Sequence, residues 1–356
     1  MGAHIPIKIG IVTAPHIEYE LREHTFILKR VRIGIGFHWD RYEDQEFQGS
    51  LTIRTNADGT QTAINTLDLE DYLCSVISSE MNADSPMELL KAHAVISRSW
   101  AMRAMQHPNH EGYDVCADDH CQRYEGIRRM NDRAIEAVRA TAGQVLVSPM
   151  YEGRCTKEEI CDCRYHKCCG GRTEIWRTCW EDIDVPYIQS VECPYCAPSY
   201  IEKNLVHRTS LLRTCLNDYD RETTDFHDWQ VAYTAEELSH ILLTKSGLDF
   251  GEIIDLIPLH RGPSGRIDSL RIVGTKRSET IGKELKIRLW LSRTCLYSSW
   301  FDVHHADGKW TFNGHGWGHG AGLCQIGASV MAAEGHSYED ILSYYYANSR
   351  LSTAAQ

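Results

Sequence analysis

At 356 residues, with 42% hydrophobic and 24% charged residues, the chain has the composition of a globular protein that can bury a core. Its length suits about two domains, or one domain with a large insertion. A net charge of −12 argues against a nucleic-acid partner, whose phosphates need a basic face. No apolar run approaches the roughly 20 residues that cross a bilayer. No charged n-region with an apolar h-region opens the chain, a start that fits a removed export signal and its absence equally.

Residues 5–66 read as β-structure, with Ile7, Ile9 and Ile11 in alternation, Val31, Ile33 and Ile35 likewise, and a turn at Asn56-Ala57-Asp58-Gly59. From Leu67 the period turns helical, and Leu69, Leu73, Val76 and Ile77 form one apolar face that ends near Glu80. Ser85, Pro86 and Glu88 spell a capping box for a second helix that runs to about Met105. Asn131 caps a third helix (Ala134, Ile135, Val138), and Gly143 closes it before a strand at Val145-Leu146-Val147. Residues 150–200 are cysteine-rich and loop-like. Residues 205–250 read as helical, with a capping box at Thr234 and Glu237 and a stop at Gly247. Residues 266–292 return to strand, with Leu270 and Ile272 on one side, followed by a short helix; residues 325–333 and 337–346 are helical.

This mixed order favours an α+β fold over a doubly wound sheet. The expected division is an N-terminal β segment (1–66), a helical and loop region with the cysteine cluster (67–200), a helical insertion or second domain (201–265), and a C-terminal part of the core (266–356).

From Gly314 to Gly322, glycine occupies every second position, with His315, Trp317 and His319 between. Interior glycine forfeits packing in a strand, so the pattern predicts a close approach of a ligand or another backbone, and a site wall. Trp317 either stacks on a ligand or is core. Glu80 sits between two helices, where partial burial would raise its pKa towards a general acid's range. His110, Cys116, His120 and Cys121 offer two imidazoles and two thiolates, a set that suits tetrahedral zinc; a Cys116–Cys121 disulfide is the rival. Cys193 and Cys196 form a C-x2-C pair that could meet Cys161, Cys163, Cys168 or Cys169 in a second zinc site or in disulfides. Cys74, Cys215, Cys295 and Cys324 stand alone and read as packed thiols. Arg98 either bridges within the fold or touches a substrate, and His166 gains interest from Gly170-Gly171 nearby.

Five segments carry a family resemblance. Ser79-Glu80-Met81 is followed by Pro86-x-Glu88-Leu89-Leu90-Lys91-Ala92-x-Ala94-Val95-x-x-Arg98-Ser99-Trp100-Ala101. Then come Cys121-Gln122-x-Tyr124-x-Gly126 and Tyr165-His166-x-x-Cys169-Gly170-Gly171-x-Thr173-Glu174. The last is Gly316-x-Gly318-His319-Gly320-x-Gly322-Leu323-x-Gln325-x-Gly327-Ala328. In this order they resemble the stage II sporulation protein D family, also called SpoIID/LytB. The cysteine-dense 155–169 segment departs from that pattern, as does Cys324, where serine is common.

The resemblance implies a peptidoglycan lytic transglycosylase of the cell envelope that leaves 1,6-anhydro sugar ends, with Glu80 as its acid. It also implies zinc at a place similar to His110, Cys116, His120 and Cys121. His319 and Gln325 are the candidates for steadying the transition state, with Arg98 and His166 as further substrate contacts. The alternative is a non-catalytic wall-binding module that enhances a partner amidase, against which the intact Glu80 speaks. A zinc hydrolase using three of the ligands is a third reading, disfavoured by the fourth ligand, Cys121.

Overall fold

The computed structural model describes residues 4–35, 40–118, 120–152, 155–204 and 227–354. β1 (Pro6–Ala14) buries Ile7 and Ile9 completely, as the alternation requires. A meander follows, β2 (Tyr19–Leu21), β3 (Thr25–Ile33) and β4 (Arg41–Gln48), and then the hairpin β5 (Ser50–Thr55) and β6 (Gln61–Asp68). β6 lies between β5 and β1, antiparallel to both.

β6 runs directly into α1 (Leu69–Glu80). Asp68 caps this helix by accepting from the Glu70 amide at 2.9 Å. α2 (Met87–Gln106) buries Leu89, Ala92, Ala94, Val95, Ile96 and Ala101 around its whole circumference, which marks it as the central core helix. Its start departs from the expected capping box. Pro86 occupies the cap position without a side-chain cap, because the Glu88 carboxylate is drawn instead to Lys91 Nζ (2.7 Å) and the Tyr338 amide (2.8 Å). β7 (Val115–Cys116) joins β1 in parallel. α3 (Asp132–Ala140) begins where Asn131 accepts from the Ala134 amide, and β8 (Gln144–Glu152) and β9 (Cys155–Ile160) form the next hairpin.

The next segment holds β10 (Tyr165–His166), α4 (Trp176–Cys179) and α5 (Pro198–Asn204). β11 (Asp228–Thr234) corrects the helical reading of its region: Trp229, Val231 and Tyr233 alternate, and the strand pairs along its full length with the strand Lys309–His315. The predicted helix starts after it as α6 (Ala235–Ser246), with the Thr234–Glu237 capping box formed and Gly247 left-handed at the end. The predicted helicity of residues 205–226, and Cys215 among them, fall outside the described residues.

β12 (Ile253–Arg261), β13 (Ile267–Gly274) and β14 (Ser278–Ile281) form one sheet, flanked by α7 (Glu284–Trp290). β15 (Phe301–Ala306) and β16 (Lys309–His315) complete the β11 sheet. β17 (Leu323–Cys324) pairs in parallel with β10 and leads into α8 (Gln325–Ala333), α9 (Tyr338–Tyr345) and β18 (Arg350–Thr353), which returns to β8.

The fold is α+β, with two buried clusters among the described residues. The larger joins β1, α1, α2 and α3 to the cysteine-rich segment and to α8 and α9. The second runs from Trp229 to Phe312 and is an insertion between Ile201 and Ala321. Residues 267–312, grouped by sequence with the C-terminal part of the first core, therefore pack with residues 229–256 instead. Among the described residues, no helix is long and apolar enough to cross a membrane.

Arg98, a candidate for substrate contact, is corrected to a structural role. Its side chain is 1% exposed and forks onto both Glu70 oxygens at 2.7 Å, with the Gln144 and Val138 carbonyls as further acceptors at 3.1 and 3.3 Å. It ties α1, α2, α3 and the start of β8 together. Arg98→Met should therefore cost about 2–4 kcal/mol, below the ~3–5 kcal/mol for removing one partner of a fully buried pair because Glu70 is 35% exposed. Denaturant unfolding checks this, and a loss below about 0.5 kcal/mol would contradict it.

Candidate functional site

Glu80 is the last residue of α1, half-buried where three segments meet. Its Oε1 accepts from the Arg123 amide and from the Tyr165 hydroxyl, each at 3.0 Å. Burial and the neighbouring Glu80 charge push the Tyr165 phenol well above its usual range, so Tyr165 stays protonated and donates.

Tyr165 is fixed in turn by His93 of α2, whose ring meets it edge-on at 4.4 Å. Burial holds the His93 imidazole down to about 3, hence neutral. Its Nδ1 lies 3.2 Å from Ser97 Oγ, and its Nε2 lies 3.1 Å from Gln325 Nε2, where it can accept from the amide. Gln325 thus reaches the Glu80 neighbourhood through two intermediaries, from a 5% exposed position at the start of α8. Tyr165, His93 and the Arg123 amide were not singled out as site groups from sequence. Tyr165 was visible, being adjacent to His166 in the same motif.

The loop that presents Arg123 also carries the first set of metal-type ligands. His110, Cys116, His120 and Cys121 place four donor atoms within 4.8 Å of one another. His110 Nε2 lies 3.2 Å from Cys121 Sγ, and His120 Nδ1 lies 3.5 Å from the same sulfur. The hydrogen bond from Cys121 and the His120 imidazole draw the Cys116 thiol down to about 4, while the hydrogen bond with Cys116 and burial push the Cys121 thiol up. Two soft sulfurs and two imidazoles converging in this way fit a tetrahedral zinc ion.

The remaining family-motif residues of this loop serve as supports. Tyr72 donates to Gln122 at 3.1 Å, Tyr124 donates to Asn65 at 2.7 Å, and Ser75 donates to the Gly126 carbonyl at 2.7 Å.

Of the two close approaches the glycine stretch allowed, another backbone is present: a Cβ on Gly316 would stand 2.8 Å from the Cys168 and Cys169 carbonyl oxygens, and one on Gly322 would run into the Arg164 carbonyl. Gly316, Gly318, Gly320 and Gly322 are all left-handed, so the chain turns repeatedly instead of forming a strand wall. A Cβ on Gly318 would stand 2.9 Å from the His166 Cβ, and one on Gly320 would stand 2.5 Å from the Arg266 guanidinium carbon. Arg266 is fully buried and donates to the Gly318 carbonyl at 3.1 Å and the Cys169 carbonyl at 3.2 Å. The close approach is thus made by the protein itself, as the glycines seat an arginine of the inserted unit against the first core.

His166 and His319 form a neighbouring cluster. Successive residues of β10 point to opposite faces, so His166 faces away from Glu80. His166 Nδ1 lies 3.1 Å from the Ala321 carbonyl, and its ring is 5.6 Å from that of His319. His319 also packs against Trp180 at 4.9 Å, with the Arg164 guanidinium over the same indole at 4.8 Å, and burial holds the His319 imidazole well below its usual range. Trp317 packs edge-on against Tyr297 at 4.9 Å.

Comparison with known proteins follows this division. Residues 57–148, which hold α1, α2 and the first ligand set, match the family described as Stage II sporulation protein. Residues 174–322, which hold the second core, match a domain of unknown function. An uncharacterized protein of Brachyspira hyodysenteriae is 29% identical over 302 residues, 85% of this chain and 71% of the relative. Stage II sporulation protein D of Bacillus subtilis is 22% identical over 316 residues, 82% and 76%. The amidase enhancer of Bacillus subtilis is 24% identical over 305 residues, 79% of this chain and 40% of that protein.

Removing the hydroxyl of Tyr165 takes away one of the donors to Glu80. Tyr165→Phe should raise the titration midpoint of that carboxyl, because its ionised form loses a hydrogen bond of the kind that stabilises charged acceptors by about 1.5–3 kcal/mol. Carbon-13 NMR of labelled glutamate reads this directly; an unchanged midpoint would show that the phenol does not support the carboxylate.

Proposed function

The chain belongs to the stage II sporulation protein D family, and from that premise we propose that it is a lytic transglycosylase of the cell envelope that cleaves peptidoglycan glycan strands. The bond cut lies between N-acetylmuramic acid and N-acetylglucosamine. The observation that carries this reading is a single half-buried carboxylate, Glu80, held by two directed donors at the end of a core helix.

One carboxyl group suffices for this chemistry. Glu80 in its acid form donates its proton to the glycosidic oxygen, and the bond from that oxygen to the muramic C1 breaks through an oxocarbenium-like transition state. The 6-hydroxyl of the same sugar attacks C1, and its proton passes to the Glu80 carboxylate. The acid is regenerated, a 1,6-anhydro ring closes, and no water is consumed. Hydrolytic glycosidases need a second carboxylate for water or as nucleophile; here the sugar supplies its own nucleophile.

Tyr165 and the Arg123 amide are positioning groups that hold the carboxylate in one orientation through both proton transfers. Gln325 acts one step further out, through His93 and Tyr165. His166 and His319 pack against each other beside Trp180, with the Arg164 guanidinium over the same indole. His110, Cys116, His120 and Cys121 would hold a structural zinc ion, which would pin the loop two residues from Arg123.

The likeness to an amidase enhancer favours a second reading, in which the protein stimulates a wall amidase. The two readings separate on one variant. Glu80→Gln should abolish anhydro-muropeptide release from purified glycan strands, by at least about 100-fold given the usual contribution of a general acid, with the circular dichroism spectrum unchanged. Mass spectrometry of the digest checks this. Anhydro products at the wild-type level would overturn Glu80 as the acid. A wild-type protein that releases none yet accelerates an amidase would favour the second reading.

A further inference from the structure

We propose that Cys169, Cys193, Cys196 and Cys324 form a second metal centre that holds one zinc ion through four thiolates. The four residues come from three places in the chain: the loop after β10, the turn at Pro194–Cys196, and the end of β17. All four are buried and their sulfurs lie within 4.8 Å of one another, with Cys169 and Cys196 at 3.3 Å. Zinc–sulfur bonds of about 2.3 Å in a tetrahedron set sulfurs ~3.8 Å apart, so the ligands are gathered before any ion binds. Cys324, read from sequence as an isolated packed thiol, is one of the four. Its partners are distant in the chain and no spacing rule connects them.

The surroundings are built for thiolate charge. Four thiolates around one dication leave two excess negative charges in a buried site, which needs hydrogen-bond donors. The Cys169 and Gly327 amides donate to Cys324 Sγ at 3.3 Å, and the Gly171 amide donates to Cys169 Sγ at 3.4 Å. The Tyr345 hydroxyl lies 3.2 Å from Cys193 Sγ. Gly327 leaves the room required: a Cβ there would stand 2.7 Å from Cys193 Sγ.

Two disulfides would pair the sulfurs and leave these amide donors without a charge to serve. A four-iron cluster places its thiolates on separate irons, farther apart than ligands that share one ion. A single thiophilic ion accounts for both the convergence and the donors.

Such an ion would staple β17 and the start of α8 to the loop that follows β10. Those strands pair Tyr165 with Leu323 and His166 with Cys324, so the staple sets the position of the strand that bears Tyr165. The proposal rests on the cysteines alone and stands or falls independently of the role of Glu80.

Native mass spectrometry of the full-length protein, purified with zinc and without reductant, should count two zinc ions per chain. Cys196→Ser should lower the count to one, and His120→Ala should also leave one. Zinc-edge X-ray absorption of His120→Ala should then report four sulfur neighbours at about 2.3 Å, a measurement that does not depend on Cys196→Ser folding. Two zinc ions retained in Cys196→Ser, a mixed nitrogen–sulfur shell in His120→Ala, iron in place of zinc, or a Cys193–Cys196 disulfide found by peptide mapping would each overturn the proposal.

Discussion

The pair of hydrogen bonds onto Glu80 Oε1 is the constraint around which the first core is arranged. A carboxylate on the last residue of a helix sits at the negative end of the helix dipole, where an anion is disfavoured. Two donors aimed at one oxygen offset that penalty, and they come from residues 43 and 85 positions along the chain. The carboxylate is therefore stable and oriented only when three separately folded segments are in register.

Each segment has its own anchor. The end of α1 is fixed by the buried Arg98–Glu70 fork and by the packing of α1 on α2 and α3. The Arg123 amide belongs to the loop gathered by His110, Cys116, His120 and Cys121. Tyr165 sits on a strand of only two residues, too short to hold itself, and is fixed by the His93 ring and by pairing with β17. The left-handed glycines after β16 admit Arg266 from the inserted unit, so the second core braces the same strand pair from outside.

Much of this was legible in the sequence wherever the signal is local. The β1 alternation, the α1 face ending at Glu80, the Asn131 cap and the Thr234–Glu237 box all depend on residues within a few positions of one another. The four ligands of the first set fall within a dozen residues and were equally readable. What escaped depends on partners distant in the chain. Glu88 looked like the end of a capping box, but Tyr338 and Lys91 claim its carboxylate. Cys324 looked solitary because its companions lie 128 to 155 positions earlier in the chain. Arg98 could be read either way until Glu70 appeared opposite it. The glycine pattern did signal close approach, made by the Cys168, Cys169 and Arg164 carbonyls at Gly316 and Gly322 and by the His166 and Arg266 side chains at Gly318 and Gly320. β11 has the alternation of a strand but abuts the Thr234 cap of the next helix, so the two elements merge into one helical stretch by sequence.

The central claim, that the group held at position 80 is the one that meets the scissile bond, is tested most directly by a crystal structure of Glu80→Gln with a bound N-acetylglucosamine–N-acetylmuramic acid oligosaccharide. The account predicts a glycosidic oxygen within about 3 Å of the side-chain amide at that position, with the Arg123 amide and Tyr165 hydroxyl still in contact with it. An oligosaccharide seated on the far face of β10, against Trp180 and His319, with its glycosidic oxygens out of reach of position 80, would contradict it.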